Sequence, residues 1–149
     1  MVENVKWYLG GYDSATYVNG MYTYERGTTL PSSGTNAATS TGYIGLMYPS
    51  DYGYSVLASS CARDTYQLKS YSNAECAGKA WLLQNGYEWT IAPDSSDTGS
   101  VWSVLNNGNL YVGSAFSGFA ARPVLYLKSS TYIVSGDGTM SNPYIINGE

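Results

Sequence analysis

The sequence contains no histidine, and only 12% of its 149 residues are charged. Without histidine, the chain cannot build a serine–histidine–acid triad, use an imidazole as a general base or bind zinc through imidazole nitrogens. The seven lysine and arginine residues are spread singly and the net charge is −4, so the basic patch that nucleic-acid binding requires is missing. No apolar run approaches the roughly 18 residues of a membrane-spanning helix. We therefore expect neither a nucleic-acid partner nor a membrane span.

The abundant residues are those of a binding surface. Tyrosine, glycine, serine and asparagine together account for 63 of the 149 residues. In antibody-like surfaces tyrosine supplies rigid contact area, and the three small residues supply adaptable hydrogen bonds. Because 44% of the residues are hydrophobic, the chain can also bury a core. Its length suits one domain, so we interpret residues 1–149 as a single ligand-binding domain rather than an enzyme.

The two cysteines, Cys61 and Cys76, predict a disulfide. Both lie among polar, small and charged residues, which favours a surface loop over the core, although free buried thiols remain the alternative. A bond closing a loop of roughly 15 residues stabilises a fold by about 3 kcal/mol, and it indicates an oxidising, extracellular setting. Residues 1–6 lack the apolar segment of a signal peptide. We therefore expect an export or anchoring segment outside this sequence.

Sequence periodicity predicts two short helices early in the chain and antiparallel strands in the second half. Ser14 is a plausible N-cap for a helix over residues 15–26 that Gly27 ends, and Ser50 and Asp51 would begin a second helix through Leu57. Asn107-Gly108 between two apolar runs predicts a tight hairpin. The pattern indicates an α+β fold. The predicted strands span residues 5–9, 43–48, 89–91, 101–105, 110–115, 122–128 and 144–146.

The acidic residues offer no distinct catalytic or metal site. Asp94 and Asp97 share a predicted turn and Asp137 lies between glycines, so each could help to bind calcium. Asp and Gly also populate turns for local reasons, and we favour that explanation. The sequence carries no Gly-x-Ser-x-Gly nucleophile motif. It predicts no catalytic residue, no metal and no cofactor.

Three of the four tryptophans, Trp7, Trp81 and Trp89, lie in apolar runs and are predicted to be core residues. The fourth, Trp102, alternates along a predicted strand, where it shares a face with Val104. The opposite face carries Val101, Ser103 and Leu105. The sequence does not decide which of the two faces is buried.

Residues 119–128 (FAARPVLYLK) resemble the Arg-Pro-Val strand near the end of C-type lectin-like domains that retroelements diversify. Residues 43–54 (YIGLMYPSDYGY), Trp-Thr-x-x-Pro at 89–93 and Ser-Gly-Asp-Gly-Thr at 135–139 are similar to segments of surface proteins from gut Firmicutes. In such proteins the domain often follows a pilin-like helix. The Glu-Pro-Asn, Gln-Pro-Asp and Trp-Asn-Asp motifs of calcium-dependent lectins do not occur here. The resemblance therefore implies a C-type lectin-like fold without calcium-mediated sugar binding.

In these diversified domains the variable segment directly precedes the Arg-Pro-Val strand, which here places it at residues 95–119. The resemblance thus implies a diversified binding surface. We interpret Arg122, at the start of the strand, as a structural anchor rather than a contact with the ligand. The aromatic and amide side chains of residues 102–119 suit ligand contact for chemical reasons as well. The candidate ligand-binding residues are Ser95, Ser96, Trp102, Asn106, Asn107, Asn109, Tyr111, Ser114, Phe116, Ser117 and Phe119.

Three hypotheses for function follow. The leading one is a non-enzymatic module, extracellular or at the cell surface, that binds a protein or glycan through this segment. The alternative is a pilin-like or surface-filament subunit whose tyrosine-rich face packs against neighbouring subunits. The third, a glycan hydrolase, needs two acids facing one cleft, and nothing in the sequence places them so.

Overall fold

A computed structural model describes residues 1–9, 11–12, 17–26, 38–139 and 141–147. Its described part combines short helices with antiparallel sheets, which confirms the predicted α+β class. Helix α1 spans Val18–Glu25 and helix α2 spans Pro49–Tyr54. The strands are β1 Val5–Tyr8, β2 Thr39–Gly42, β3 Gly45–Leu46, β4 Glu88–Pro93, β5 Ser100–Val104, β6 Leu110–Ser114, β7 Pro123–Val124, β8 Ile133–Ser135 and β9 Ile145–Ile146.

The largest sheet is an antiparallel meander of β4, β5 and β6. Three further pairs, β1–β2, β3–β7 and β8–β9, are each two-stranded and antiparallel. The predicted hairpin is confirmed, since Val104 pairs with Leu110 across the Asn-Gly turn. Gly108 has a φ of +84° there, a conformation that glycine adopts without steric cost.

The two helices pack closely against each other. α1 follows Tyr17, whose side chain makes no capping hydrogen bond, while the predicted cap Ser14 and stop Gly27 lie outside the described residues. α2 begins at Pro49, where a missing N–H costs nothing. A Cβ on Gly53 would lie 2.7 Å from Val18 Cγ1. The glycine therefore permits the helices to come this close, and α2 ends earlier than predicted, at Tyr54.

The strands outside the meander are shorter than the apolar runs that predicted them. Only Gly45–Leu46 of residues 43–48 and only Pro123–Val124 of residues 122–128 are strand, and these two segments pair with each other. Pro123 lacks a donor for the ladder. Thr39–Gly42, which no predicted strand covers, pairs with β1. Its residues have no alternating apolar pattern that would have revealed this pairing.

The core forms between the helices, the meander and the disulfide-bonded segment. Its largest fully buried side chains include Tyr12, Tyr48, Tyr52 and Tyr71, so tyrosine builds much of the interior. Cys61 and Cys76 form the predicted disulfide, with Cα atoms 5.6 Å apart. Both cysteines are buried, at 6% and 0% exposure. The expected surface location of the bond was wrong, because the bond joins the core cluster.

Candidate binding surface

The meander has one buried and one outward face, and its register assigns side chains to each. Glu88 pairs with Val104, which pairs with Leu110, and all three are buried. Trp89 pairs with Ser103, which pairs with Tyr111. Directly paired residues share a face of a sheet, so these last three lie on the opposite side. The face that carries Trp102 and Val104 is therefore the core face.

Trp102 belongs to the core and not to a binding surface. Its side chain is 5% exposed, and its ring centroid lies 5.6 Å from that of Tyr12. The indole Nε1–H donates a hydrogen bond of 2.9 Å to the Tyr12 carbonyl oxygen. Because both the ring and its only donor are occupied, a ligand at the surface cannot contact Trp102. This corrects its place among the candidate ligand-binding residues.

A row of three stacked rings covers the outward face. Phe119 stacks on Trp89, with ring centroids 4.4 Å apart, and on Tyr87, at 5.0 Å. The Phe119 ring also lies over Gly113, where an added Cβ would come within 3.1 Å of a ring atom. Tyr111, on the same face, is 64% exposed. We call Tyr87, Trp89, Tyr111 and Phe119 the outer aromatic face.

A second aromatic group is presented at the end of this face. Phe116 follows β6 and is 94% exposed. The turn that carries it is held by a hydrogen bond from Ser117 N–H to the Ser114 carbonyl oxygen at 2.9 Å. Ala115 N–H also donates to the Gly99 carbonyl oxygen at 2.8 Å. Phe116 is thus a large apolar side chain in solvent on a hydrogen-bonded turn.

Serine and aspartate side chains shape the neighbouring loop at residues 94–99. Ser96 donates from its N–H and from its hydroxyl to Asp94 Oδ1, each at 2.9 Å. Ser95 N–H donates to the Tyr12 carbonyl oxygen at 3.3 Å. Hydrogen bonds from Ser100 and from Gly99 N–H lower the pKa of Asp97. The bonds to Asp94 and Asp97 are local turn contacts, which is the role favoured for both residues from sequence, whereas the Ser95 bond ties the loop to Tyr12.

The asparagines of the hairpin turn lie at the other end of the strands. Asn109 Oδ1 accepts a hydrogen bond from Ser72 N–H at 2.8 Å, and Asn107 Oδ1 accepts one from Asn109 N–H at 3.0 Å. Asn106 is exposed. A five-residue strand is about 16 Å long, so this turn is remote from Phe116. The candidate residues therefore do not form one continuous patch, and two of the three amides are used to hold the turn.

The outer aromatic face is flanked by two cavities that the sequence did not indicate. Tyr87 lines one of about 340 Å³, which Arg122 also lines. Trp89 lines another of about 310 Å³, together with Ile91 and Val101. Trp89 was predicted to be buried and Tyr87 was not considered. Alternation from Trp102 could not have placed Trp89, because the two residues lie on different strands and the pairing of Trp89 with Ser103 sets its face.

Arg122 anchors the start of β7 to the meander, as expected from sequence. Its Nη2 donates to Glu88 Oε2 at 2.9 Å and to the Leu82 carbonyl oxygen at 3.0 Å. Glu88 is 4% exposed. Burial raises the pKa of Glu88, and the positive charge of Arg122 opposes that shift. The positive charge of the Arg122 guanidinium thus offsets the negative charge of the buried Glu88 carboxylate.

No protein-family model matches this chain, and no curated protein and no solved structure matches it either. Within the described residues, no group of three or more cysteine, aspartate or glutamate side chains is arranged to hold a metal ion. The helices of this part of the chain are all too short or too polar to cross a membrane.

Proposed function

We propose that this chain is a non-enzymatic, extracellular or cell-surface binding module with a C-type lectin-like fold. The observation that carries the proposal is the exposure of large aromatic side chains on and beside the meander, with Phe116 at 94% and Tyr111 at 64%. Aromatic residues on a rigid support are typical of the side chains that dominate binding energy. The buried disulfide supports an oxidising location.

The resemblance described above places the diversified segment at residues 95–119, which contains β5, β6 and Phe119. In this proposal Phe116, Tyr111 and Phe119 contact the ligand, and the adjacent serines form hydrogen bonds with it. Comparing this segment among copies of the gene tests the diversification directly. Substitutions concentrated at the exposed positions of 95–119 support it. An even spread along the chain contradicts it.

A glycan and protein array, followed by affinity measurement on each hit, tests the binding function. Phe116→Ala and Tyr111→Ala should each weaken binding about tenfold or more, as truncation of a central aromatic contact does. Tyr132→Ala is a matched control, because Tyr132 is also 64% exposed but lies outside the proposed surface. Binding that survives both test substitutions, or that Tyr132→Ala abolishes equally, contradicts the proposed site.

The alternative function, a self-associating surface subunit, is favoured by the β8–β9 hairpin. Its apolar side chains are exposed on both faces, and an isolated two-stranded sheet is at best marginally stable in water. Open edges of this kind pair readily with a second strand. The hairpin strands carry no charge, so a second copy pairing edge to edge is the occupant that fits. The exposed residues are Tyr132, Ile133, Val134, Tyr144, Ile145 and Ile146.

Sedimentation velocity over a range of concentrations tests this alternative. A charge on an edge strand blocks pairing, so Ile145→Lys should shift an assembled protein to monomer. Leu57→Lys, at a position that is 80% exposed but far along the chain from the hairpin, should leave assembly unchanged. A wild-type protein that stays monomeric at high concentration excludes the filament function and leaves the binding function standing.

A further inference from the structure

A third cavity, of about 320 Å³, opens beside α2 and is lined by Trp81, Tyr54, Asp51 and Arg122, among others. No residue of the 95–119 segment lines it. It shares Arg122 with the cavity beside Tyr87, but none of the residues assigned to ligand contact in the proposed function lines it. Its volume lies in the range of small-molecule pockets, and it combines aromatic walls with a few polar groups, which is how such pockets are built.

Trp81 is the unexpected feature of this cavity. An apolar sequence context predicted a core position, and the structure corrects this, because the side chain is 66% exposed. The backbone around it is held in place: Trp81 N–H donates to the Ser55 carbonyl oxygen at 3.4 Å, and Val56 pairs with Ala80. The buried disulfide lies just before this segment. The fold thus holds a large indole ring in solvent at the edge of a cavity.

Tyr54 provides a second ring whose orientation is fixed by its neighbours. The Arg63 guanidinium carbon lies 5.1 Å from the Tyr54 ring centroid. The ring of Tyr22 meets that of Tyr54 edge to face at a centroid distance of 5.9 Å. Contacts of both kinds favour one ring position. The cavity therefore has one aromatic wall, Tyr54, whose ring is held by its neighbours, and a second, Trp81, whose backbone is held and whose ring lies mostly in solvent.

The polar groups of the cavity include one acid and one base. Asp51 Oδ2 accepts a hydrogen bond from Tyr48 N–H at 2.9 Å, and its Oδ1 lies 3.7 Å from Arg26 Nη2. Its side chain is 40% exposed, and that of Arg122 is 28% exposed. The Arg122 bonds to described residues all come from Nη2. Acceptor capacity on Asp51 and donor capacity on Arg122 both remain for a ligand.

The charges and the aromatic walls together select the ligand. An anion would meet Asp51 and a cation would meet Arg122, so each charged class is opposed by one wall of the cavity. A neutral molecule with many hydroxyl groups can donate to the carboxylate and accept from the guanidinium at once. Its C–H surface can lie against the indole of Trp81, in weak contacts with an aromatic face. We propose that this cavity binds one ring of an uncharged sugar without the help of a metal ion.

Titration of the purified full chain with methyl pyranosides tests the proposal. The probes are the α- and β-methyl glycosides of glucose, galactose and mannose, added in the presence of EDTA and followed by two-dimensional ¹H–¹⁵N NMR. At least one should bind with a dissociation constant on the order of 1–10 mM. The shifted resonances should include the Trp81 indole N–H and the α2 backbone. No saturable shift with any of the six sugars overturns the proposal.

Matched variants identify the site. Trp81→Ala should weaken sugar binding about tenfold or more, while its NMR spectrum stays dispersed because the removed side chain is mostly in solvent. Tyr132→Ala, whose side chain is 64% exposed and lies outside both proposed surfaces, should leave sugar binding unchanged. If Phe116→Ala abolishes sugar binding and Trp81→Ala does not, the sugar occupies the other surface and this inference is wrong.

Charged probes test the roles of Asp51 and Arg122 in selecting the ligand. Tetramethylammonium and methyl glucuronide should bind more weakly than the best neutral pyranoside, because each meets a like charge. Asp51→Asn keeps a side-chain oxygen for the Tyr48 N–H but removes the negative charge, so it should improve glucuronide binding relative to the neutral sugar. Preferential binding of tetramethylammonium by the wild-type protein overturns the assignment in favour of a cation site.

Discussion

Glu25 accepts a hydrogen bond from the backbone N–H of Ser50 at 3.0 Å, and this bond joins the end of α1 to the first turn of α2 inside the core. Glu25 is only 2% exposed. Its Oε1 also faces the Tyr12 hydroxyl at 3.4 Å, and its Oε2 has no hydrogen-bond partner among the described residues. Burial raises the pKa of Glu25 from 4.5 to about 7, with Asp51 adding to the rise and the Ser50 bonds and Arg26 opposing it.

This pKa predicts that the protein is less stable at pH 8 than at pH 5. The folded state holds the Glu25 proton more tightly than the unfolded state does. The stabilisation is therefore complete below pH 4.5 and is lost as the pH rises to about 7. The shift corresponds to about 3 kcal/mol in the free energy of unfolding. Urea unfolding at a series of pH values measures it.

Glu25→Gln is the control for this pH dependence. The amide keeps an acceptor for Ser50 N–H and has no charge at any pH. The variant should match the wild type near pH 4.5, exceed its stability at pH 8, and have a shallower slope between them, since the raised pKa of Glu88 still contributes. Equal slopes in the two proteins contradict the assignment to Glu25.

The buried position of Glu25 shows where prediction from sequence stopped. The helix itself could be predicted, since Tyr17, Met21 and Tyr24 recur at helical spacing. Glu25 is four residues after Met21 and so shares its face, but a charged side chain is expected in solvent. The burial of Glu25 is tolerated because the Ser50 backbone N–H, in the first turn of α2, donates a hydrogen bond to it. That contact joins residues 25 positions apart, and local patterns carry no information about it.

The difference between local patterns and contacts across the chain also explains which strands could be predicted. The β5–β6 hairpin depends on its own Asn-Gly turn and on alternation within neighbouring runs, and both are local signals. By contrast β3 pairs with β7, and β1 pairs with the polar strand β2. These pairings are set by tertiary packing. The candidate site divides in the same way. The aromatic segment was indicated by the sequence, whereas the stacking of Phe119 on Trp89 and Tyr87 depends on Ala120, whose backbone exchanges hydrogen bonds with both residues.

The buried disulfide should contribute strongly to stability. Replacing both Cys61 and Cys76 by alanine should lower the free energy of unfolding by about 3 kcal/mol, the value for a 15-residue loop. The loss should equal that caused by a reductant in the wild type, measured by urea unfolding. If the reductant destabilises the double-alanine variant as well, its effect does not arise from this bond.

Gly108 should tolerate no side chain, in contrast to Gly118. At Gly108 the backbone has a φ of +84°, and a Cβ would collide with Ala77, whereas nothing lies within 4 Å of a Cβ at Gly118. Gly108→Ala should therefore lower the free energy of unfolding by more than about 1 kcal/mol. Gly118→Ala should stay within about 0.5 kcal/mol of the wild type. Thermal and urea unfolding of the two variants provide the comparison, and equal stabilities contradict the close packing of the turn.

Replacing Arg122 alone should lower the free energy of unfolding more than replacing both Arg122 and Glu88. Arg122→Met leaves the buried Glu88 carboxylate without its counter-charge, a loss of about 3 kcal/mol or more for a buried pair. Adding Glu88→Gln to this variant should restore part of the stability, because the uncompensated charge is gone. A double-mutant cycle by urea unfolding measures the difference. A double variant less stable than Arg122→Met shows that the pair does not work in this way.

Substitutions at Trp102 and at Tyr111 should have different effects, the first on stability and the second on ligand binding. Trp102 packs against Tyr12 in the core, so Trp102→Ala should lower the free energy of unfolding by about 3–5 kcal/mol, as for other large core truncations. Tyr111 lies on the outward face of the same hairpin and is 64% exposed, so Tyr111→Ala should unfold like the wild type and lose ligand affinity. Urea unfolding and ligand titration on both variants measure the two effects independently. A stable Trp102→Ala variant that fails to bind would place Trp102 in contact with ligand after all, and would require the hairpin to turn its other face outward.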